Sequence, residues 1–404
     1  MKVARRNVKI WWGIGAVLLV LLVAGGTYAF LKMYSPQKAA PSTSQQEMVQ
    51  PKPVALTTNT LYTGNIYWGR YINDWSMASP LKTAYPFSRL NEFNRESYDA
   101  WITGLECPTV AGFQQTSAEE DATLSFNCSP DYLPEAAKWF TITTLANNHT
   151  DNRGAEGFAE TKKQLDKHGI QYFGHYDPVL KNEACEVIAL PVTVTYDNDE
   201  TRHQALPVAM CGFHGVFKIP PAETIAQIRK YADLMPVIAM PHMGAEYTAT
   251  PDTLKINAYH AMIDAGADMV LGDHPHWIQP TESYKGKLIV YSMGNFMFDQ
   301  QGTTEVTRSA AIRVVMNTTN TASEQLEKWL ELGDTCKTFK DTCLDDAKEQ
   351  DLEKLSIEYK FGVVGSNDEN KITKPATKAE QAAILQRLKW SQTMNQLQSP
   401  QSSL

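Results

Sequence analysis

Two short runs, Val237 to Met240 and Asp268 to Leu271, bracket a stretch with helical spacing, and histidines follow each run almost at once. The runs have the length and apolar character of buried strands. Between them Leu254, Ala258, Met262 and Ile263 mark a helix from Thr253 to Ala265, and Gly266 stops it. One strand–helix–strand unit therefore carries His242, His274 and His276 to a single rim. Strand C-terminal ends are where open α/β sheets build ligand sites. Together with the Asn147-Asn148-His149 run after the apolar stretch Phe140 to Leu145, and a helix expected from Ala155 to His168, this predicts an α/β fold with a functional edge.

The chain has 404 residues, 43% of them apolar, enough for one large domain or two ordinary ones with a sizeable core. A net charge of −8 and the lack of any long basic run argue against nucleic acid as a partner. Residues 10–31 read as a transmembrane anchor: Ile10 to Phe30 carries no charge, Trp11, Trp12 and Tyr28 mark its ends, and Lys2, Arg5, Arg6 and Lys9 precede it. The positive-inside rule then leaves residues 1–9 in the cytoplasm and the rest of the chain outside, as a single-pass protein of the cell membrane. A cleaved signal peptide is the alternative, against which stand the length of the apolar core and the lack of a clear small-x-small site. Residues 32–55, rich in Pro, Gln, Ser and Thr, read as a flexible linker. A main domain is expected over 56–316 and a C-terminal extension over 317–404, with a weak boundary near Ser366 to Lys374. The extension ends in an amphipathic helix from Lys378 to Leu397 that docks on the domain or binds a partner.

Six cysteines outside the reducing compartment predict disulfides, for which fifteen pairings exist. Cys336 with Cys343 is favoured by proximity, Cys107 with Cys128 around a polar loop, and Cys185 with Cys211 across the neighbouring strands EVIALPV and LPVAMCGF. No cysteine reads as a nucleophile.

The blocks HMGAEY, IDAGADMVLGDHPHWIQPTE and LIVYSMGNFMFDQ, preceded by TGNIYWGR at Thr63 to Arg70 and LANNHTDNRGAEGFAETKKQLDKHGIQYFG at Leu145 to Gly174, resemble the CapA-type capsule (poly-γ-glutamate) synthesis family over roughly Thr57 to Met316. The domain of that family is similar to the calcineurin-like metallophosphatases. The resemblance implies a two-sheet α/β sandwich in which five loops at strand ends supply metal ligands.

Carried over residue by residue, Asn65 stands in the first loop, where the family usually has Asp, and Tyr67 where the wider superfamily has His. Glu106 stands in the second loop after Gly104 and Leu105, where the family reads Asn-Leu-Glu. Asn148 and the substrate-facing His149 form the third, with Asn152 where the family often has Asp. His242 with Glu246, and His274 with His276, complete the set. His149 is expected to give a proton to a leaving group or hold an oxyanion, with Glu246 as a second catalytic candidate or a helix cap. Asn147, Asn295 and Asp299 are expected to support the site, and Arg70 and Arg308 to bind a carboxylate or phosphate of the substrate. Imidazoles with a carboxylate suit Zn, Mn or Fe. With Glu106 as the one certain carboxylate, the ligand count predicts one tightly bound ion, at Glu106, Asn148, His242 and His274. The function implied is synthesis, export or attachment of an anionic surface polymer, with the polymer or its membrane synthase components as partners. A non-catalytic scaffold subunit and an outward-facing phosphoesterase are the alternatives.

Overall fold

The computed structural model describes residues 50–319 and 321–404. The tail, the segment expected to anchor the chain and most of the linker lie outside the described residues. Among the described residues no helix is long and apolar enough to cross a membrane. The first strand, β1 (Pro53–Ile66), begins within the stretch read as linker. Its first half alternates buried and exposed positions, whereas Thr60 to Ile66 is wholly buried, because only the second half is covered on both faces.

Strands β2 (Ala100–Leu105), β3 (Ile142–Thr144) and β4 (Gln171–Phe173) lie parallel beside β1 in that order. A second run comprises the hairpin β5 (Cys185–Tyr196) and β6 (Thr201–Gly215), then β7 (Val237–Met243) and β8 (Met269–Leu271) parallel to β6. The strand β9 (Gln279–Tyr284) edges this run, pairing antiparallel with β10 (Lys287–Ser292), which lies parallel to β8. Then come β11 (Asn295–Met297), β12 (Arg308–Thr318) and β13 (Ile357–Asn367), and two short strands, Lys374–Pro375 and Gln401–Ser403, pair with β13. The longer helices are α1 (Arg70–Ala78), α2 (Ser117–Thr123), α3 (Gly154–Lys167), α4 (Thr253–Asp264), α5 (Ser323–Thr338), α6 (Lys340–Glu349) and α7 (Lys378–Leu388).

The class is α/β, as expected, but pairing runs continuously through β1 rather than stopping between two separate sheets. On one edge β1 forks: Leu56 and Thr57 pair with β5, and from Thr60 onward the same edge pairs with β2. Its other edge pairs with β12. Two apolar cores result, one beneath β5 to β10 with Leu190, Val208, Ile238 and Ile289, the other around β1 to β4 with Leu61, Trp101, Phe140 and Phe296.

Residues read as an extension supply part of the sheet, since β13 pairs with β12 along its whole length. The helix expected from Lys378 to Leu397 breaks at Lys389, whose φ of +55° ends α7, and a short turn of helix, Trp390–Met394, follows. Thr377 and Glu380 form a capping box at the start of α7. Its end docks on β9, where the Leu388 carbonyl accepts from the Thr281 hydroxyl at 2.8 Å. All three expected disulfides are present, and Cys185 and Cys211 face each other directly in the β5–β6 ladder.

Candidate functional site

The C-terminal ends of the parallel strands converge on one rim, and the expected residues arrive there from both runs. Asn65, near the end of β1, pairs with Gly104 of β2 and Asn295 of β11. Gly64 makes that approach feasible, because a Cβ at this position would stand 1.8 Å from the Gly294 carbonyl oxygen. Glu106 follows β2, Asn147 to His149 follow β3, His242 is the penultimate residue of β7, and Asp273 to His276 follow β8. His274 and His276 have φ of +96° and +59°, left-handed backbone that non-glycine residues seldom adopt and that concentrates at functional loops.

One half of the site is made of neutral donors in mutual contact. His242 Nε2 lies 2.8 Å from Asn148 Oδ1 and 3.1 Å from His274 Nδ1. The Asn147 amide nitrogen rests against the same ring at 3.2 Å, while its oxygen accepts from the His149 backbone N–H at 2.7 Å. Burial, with neighbouring histidines second, holds His242 and His274 well below the ordinary imidazole pKa, so their lone pairs stay available. His276 Nδ1 lies 2.8 Å from Asn295 Oδ1, and the Asn295 amide nitrogen donates to Gln300 and to the Val306 carbonyl. That network assigns the hydrogen to Nδ1 of His276 and leaves Nε2 as a lone pair, 3.8 Å from Glu106 and 3.9 Å from Glu246. Tyr247 stacks on the ring, and burial pushes His276 down to about 4.

The other half is acidic and unpartnered. Both oxygens of Glu106, both oxygens of Asp273 and both polar atoms of the Asn65 amide are buried with no hydrogen-bond partner. Burial raises both acids well above the carboxylate range, and for Glu106 the nearness of Asp273 adds to it. Asn65 Oδ1 and Asp273 Oδ2 stand 3.6 and 3.7 Å from the point where a Gly104 side chain would begin, so the glycine leaves open space between them. Asp273 is the residue the sequence reading missed. Its signal was its place directly after β8 in the GDHPH block. Counting it, the site holds two buried carboxylates rather than the single certain one of the sequence-based ligand count.

Among the described residues no three His, Cys, Asp or Glu side chains are arranged to hold a metal ion. The cluster that does form mixes two imidazoles with an amide. Ligands that share one ion at about 2.1 Å lie roughly 3 Å apart, which matches the spacing of Asn148 Oδ1, His242 Nε2 and His274 Nδ1. Orphaned buried acids beside neutral imidazoles are the donor set of a borderline divalent cation, and the residues fit Zn, Mn or Fe.

Other expected residues sit elsewhere or act differently. Tyr67 donates its hydroxyl to Glu120 of α2 at 2.6 Å, so it offers the centre no donor. Arg70 forks onto Asp299 at 2.7 and 2.8 Å and reaches Asp121 at 3.3 Å, which commits both it and Asp299 to one ion-pair network. Arg308 pairs with Glu305. Glu246 is partly exposed at the rim, its pKa raised by burial. His149 stacks on Phe126, and its Nδ1 lies 3.0 Å from Asn152 Oδ1, which also accepts from the Phe126 N–H. The ring hydrogen therefore sits on Nδ1, and burial pushes His149 down to about 4. That leaves a lone pair on His149 Nε2.

Residues 59–300 match the family described as bacterial capsule synthesis protein PGA_cap, a span that holds every loop of the site. The capsule biosynthesis protein CapA of Bacillus anthracis is 27% identical over 282 residues, 64% of this chain and 64% of the relative. The PGA biosynthesis protein CapA of Bacillus subtilis (strain 168) is 25% identical over 263 residues, 62% of this chain and 66% of the relative. A probable polyglutamine synthesis accessory protein of Mycobacterium tuberculosis is 28% identical over 191 residues, 44% of this chain and 50% of the relative. The chain thus spans less than two thirds of the length of these curated relatives. Since the family match covers more than half of the chain and takes in Asn65, Glu106, Asn148, His242, Asp273, His274 and Asn295 alike, the chain belongs to the bacterial capsule synthesis PGA_cap family.

Proposed function

We propose that this chain is a membrane-anchored, outward-facing protein that acts in synthesis, export or attachment of an anionic surface polymer of the poly-γ-glutamate kind. The capsule and PGA biosynthesis roles named for its relatives and the charge asymmetry around residues 10–31 support the reading. The observation that carries its chemistry is the pair of buried, unpartnered carboxylates, Glu106 and Asp273, beside the His242, His274 and Asn148 donors.

Glu106, Asn148, His242 and His274 would hold one divalent transition metal, which when bound supplies Lewis acidity for an amide or phosphoester oxygen. His242 and His274, held neutral by burial, present lone pairs without releasing a proton first. Asn147 and Asn295 orient the loops and rings around them. His149 takes a proton from an attacking hydroxyl at Nε2. Without a cation the acids Glu106, Asp273 and Glu246 offer a polyanion no positive charge, so polymer binding should require the metal.

A second reading, a polymer-handling subunit without catalysis, is favoured by Tyr67 and Gly104, which leave the Asn65 side short of donors. Metal content of the purified full chain, together with turnover on γ-glutamyl oligomers and on a simple phosphoester, separates the readings. About one ion per chain with metal-dependent action on the oligomer is the expected result. No stoichiometric metal would leave the scaffold reading standing. Two equal ions with phosphoester hydrolysis would replace both.

A further inference from the structure

One donor at the mouth of the site has no part in the roles above. Tyr247, in the loop after β7, is 45% exposed, and its ring lies nearly parallel to the buried His276 ring at 5.5 Å. Its φ is +54°, left-handed backbone that a bulky residue keeps only where its surroundings impose it. They do so from two sides. The Tyr247 N–H donates at 2.9 Å to the carbonyl of Pro275, between the two loop histidines. The carbonyl and hydroxyl of Thr248 accept from Gln279 Nε2 at 3.1 Å, and Gln279 Oε1 accepts at 3.1 Å from the fully buried Lys255.

The direction of the hydrogen bonds that reach this hydroxyl follows from one carbonyl. Val306 O only accepts, so the Asn295 amide turns its nitrogen to Val306 and Gln300 and its oxygen to His276. Gln300 receives that bond on Oε1, which leaves its nitrogen to donate to the Tyr247 hydroxyl at 2.8 Å. The Tyr247 oxygen is therefore an acceptor, and its own hydrogen is the last donor of the chain. Among the described residues nothing accepts that hydrogen. Glu246 and Glu106 are the acids around the hydroxyl, and Glu106 has no hydrogen-bond partner. A phenol ordinarily titrates at about 10, so the donor is present at neutral pH.

We propose that Tyr247 is a substrate-binding residue of this site, donating its hydroxyl hydrogen to an oxygen of the polymer held on the His276 side. The proposal rests on the polymer reading above. A γ-glutamyl repeat offers two kinds of such oxygen, the amide carbonyl and the carboxylate, and a phenol O–H serves either. The ring stack, the fixed backbone and the Gln300 bond all hold the donor before a ligand arrives, so little freedom is lost when it binds.

The test uses the Mn²⁺-loaded full chain, a γ-glutamyl oligomer, and the γ-aminobutyryl oligomer that keeps the amides and lacks the carboxylates. Tyr247→Phe removes the hydroxyl and keeps the stacked ring. It should weaken γ-glutamyl binding roughly tenfold, the effect of one hydrogen bond, and leave the melting temperature and the Mn²⁺ affinity unchanged. The same loss with the γ-aminobutyryl oligomer assigns the bond to the amide carbonyl, and a loss confined to the γ-glutamyl oligomer assigns it to the carboxylate. Unchanged γ-glutamyl binding in Tyr247→Phe overturns the proposal while leaving the polymer reading intact. A matching loss of Mn²⁺ affinity overturns it as well, because the hydroxyl would then act through the ion. A wild-type chain that binds neither oligomer removes the polymer reading and this inference with it.

Discussion

The two halves of the site sit on the same strand ends and have solved burial differently. In the His242, His274 and Asn148 half every donor rests on another donor of the same cluster, and all are neutral. In the Asn65, Glu106 and Asp273 half no side-chain polar atom has a hydrogen-bond partner. Imidazoles and amides can share protons among themselves, so a protein can keep them ready at low cost. Buried carboxylates cannot, and must either take up protons or meet a cation. The first half is thus a preorganised binding surface, and the second is a standing destabilisation that a cation would relieve.

The largest effect that would break this comparison is loss of the ion itself. His242→Ala or His274→Ala should weaken metal binding by about 100-fold or more, because each removes an imidazole from a small donor set. Asn65→Ala should change it only a few-fold, since a neutral amide is a weak ligand, and Asn65→Asp should raise metal content above that of wild type. Calorimetric titration with Mn²⁺ measures all four variants. If Asn65→Ala loses as much affinity as His242→Ala, the two halves are one site and the distinction fails.

Stability against pH sharpens the comparison because the halves carry opposite signs. His149 and His276 are held at about 4, and His242 and His274 well below 6.5. For these depressed pKa values the contribution to stability is present above pH 6.5 and is lost as pH falls through the folded values, since only the unfolded chain takes up protons first. Glu106 and Asp273 are raised above 4.5 and 3.8, so their contribution is present below those values and is lost as pH rises through the folded ones. The metal-free full chain should therefore lose stability from pH 6.5 to 4 by up to ~1.4 kcal/mol per pH unit for each histidine, partly offset by the two acids. Removing the acids with Glu106→Gln and Asp273→Asn should steepen that loss, and at pH 7.5 should stabilise the metal-free chain on the order of 1–3 kcal/mol. Denaturant midpoints in chelator report both. A double variant less stable than wild type at pH 7.5 would mean that the acids have partners in solution.

How much of this was legible depended on how local each signal is. The rim could be read because β7 and β8 are buried on both faces and appear as apolar runs that end at His242 and Asp273. Cys185 and Cys211 could be paired because β5 and β6 are joined by a short turn that fixes their register. The fork in β1 could not, since its partners at Thr193, Ala100 and Asn317 are distant in sequence and nothing in PVALTTNTLYTGNI marks where one ends. β13 was hidden for a related reason: IEYKFGVVGSN follows two polar helices, and only β12 makes it a strand of the sheet. Asp273 escaped because an acid before His-x-His reads as a turn residue. Its lack of any partner exists only in three dimensions.

Gly104 supports the finest test, because the space it leaves open belongs to one half alone. A Cβ there would make ordinary contact with Asn65 Oδ1 at 3.6 Å, Thr144 at 3.6 Å and Asp273 Oδ2 at 3.7 Å, whereas one at Gly64 would collide with the Gly294 carbonyl. Gly104→Ala should thus fold, and gain up to about 1 kcal/mol by restricting the unfolded chain, while Gly64→Ala should lose far more than that. The added methyl occupies the gap between the orphaned amide and the orphaned acid, so it should weaken any ion beside Asp273 a few-fold and leave the His242 and His274 affinity within error. Thermal melting in chelator reads the first effect and Mn²⁺ titration the second. Equal weakening of both affinities would show that an ion at one half depends on the space at the other, and the contrast between a prepared half and a strained half would no longer hold.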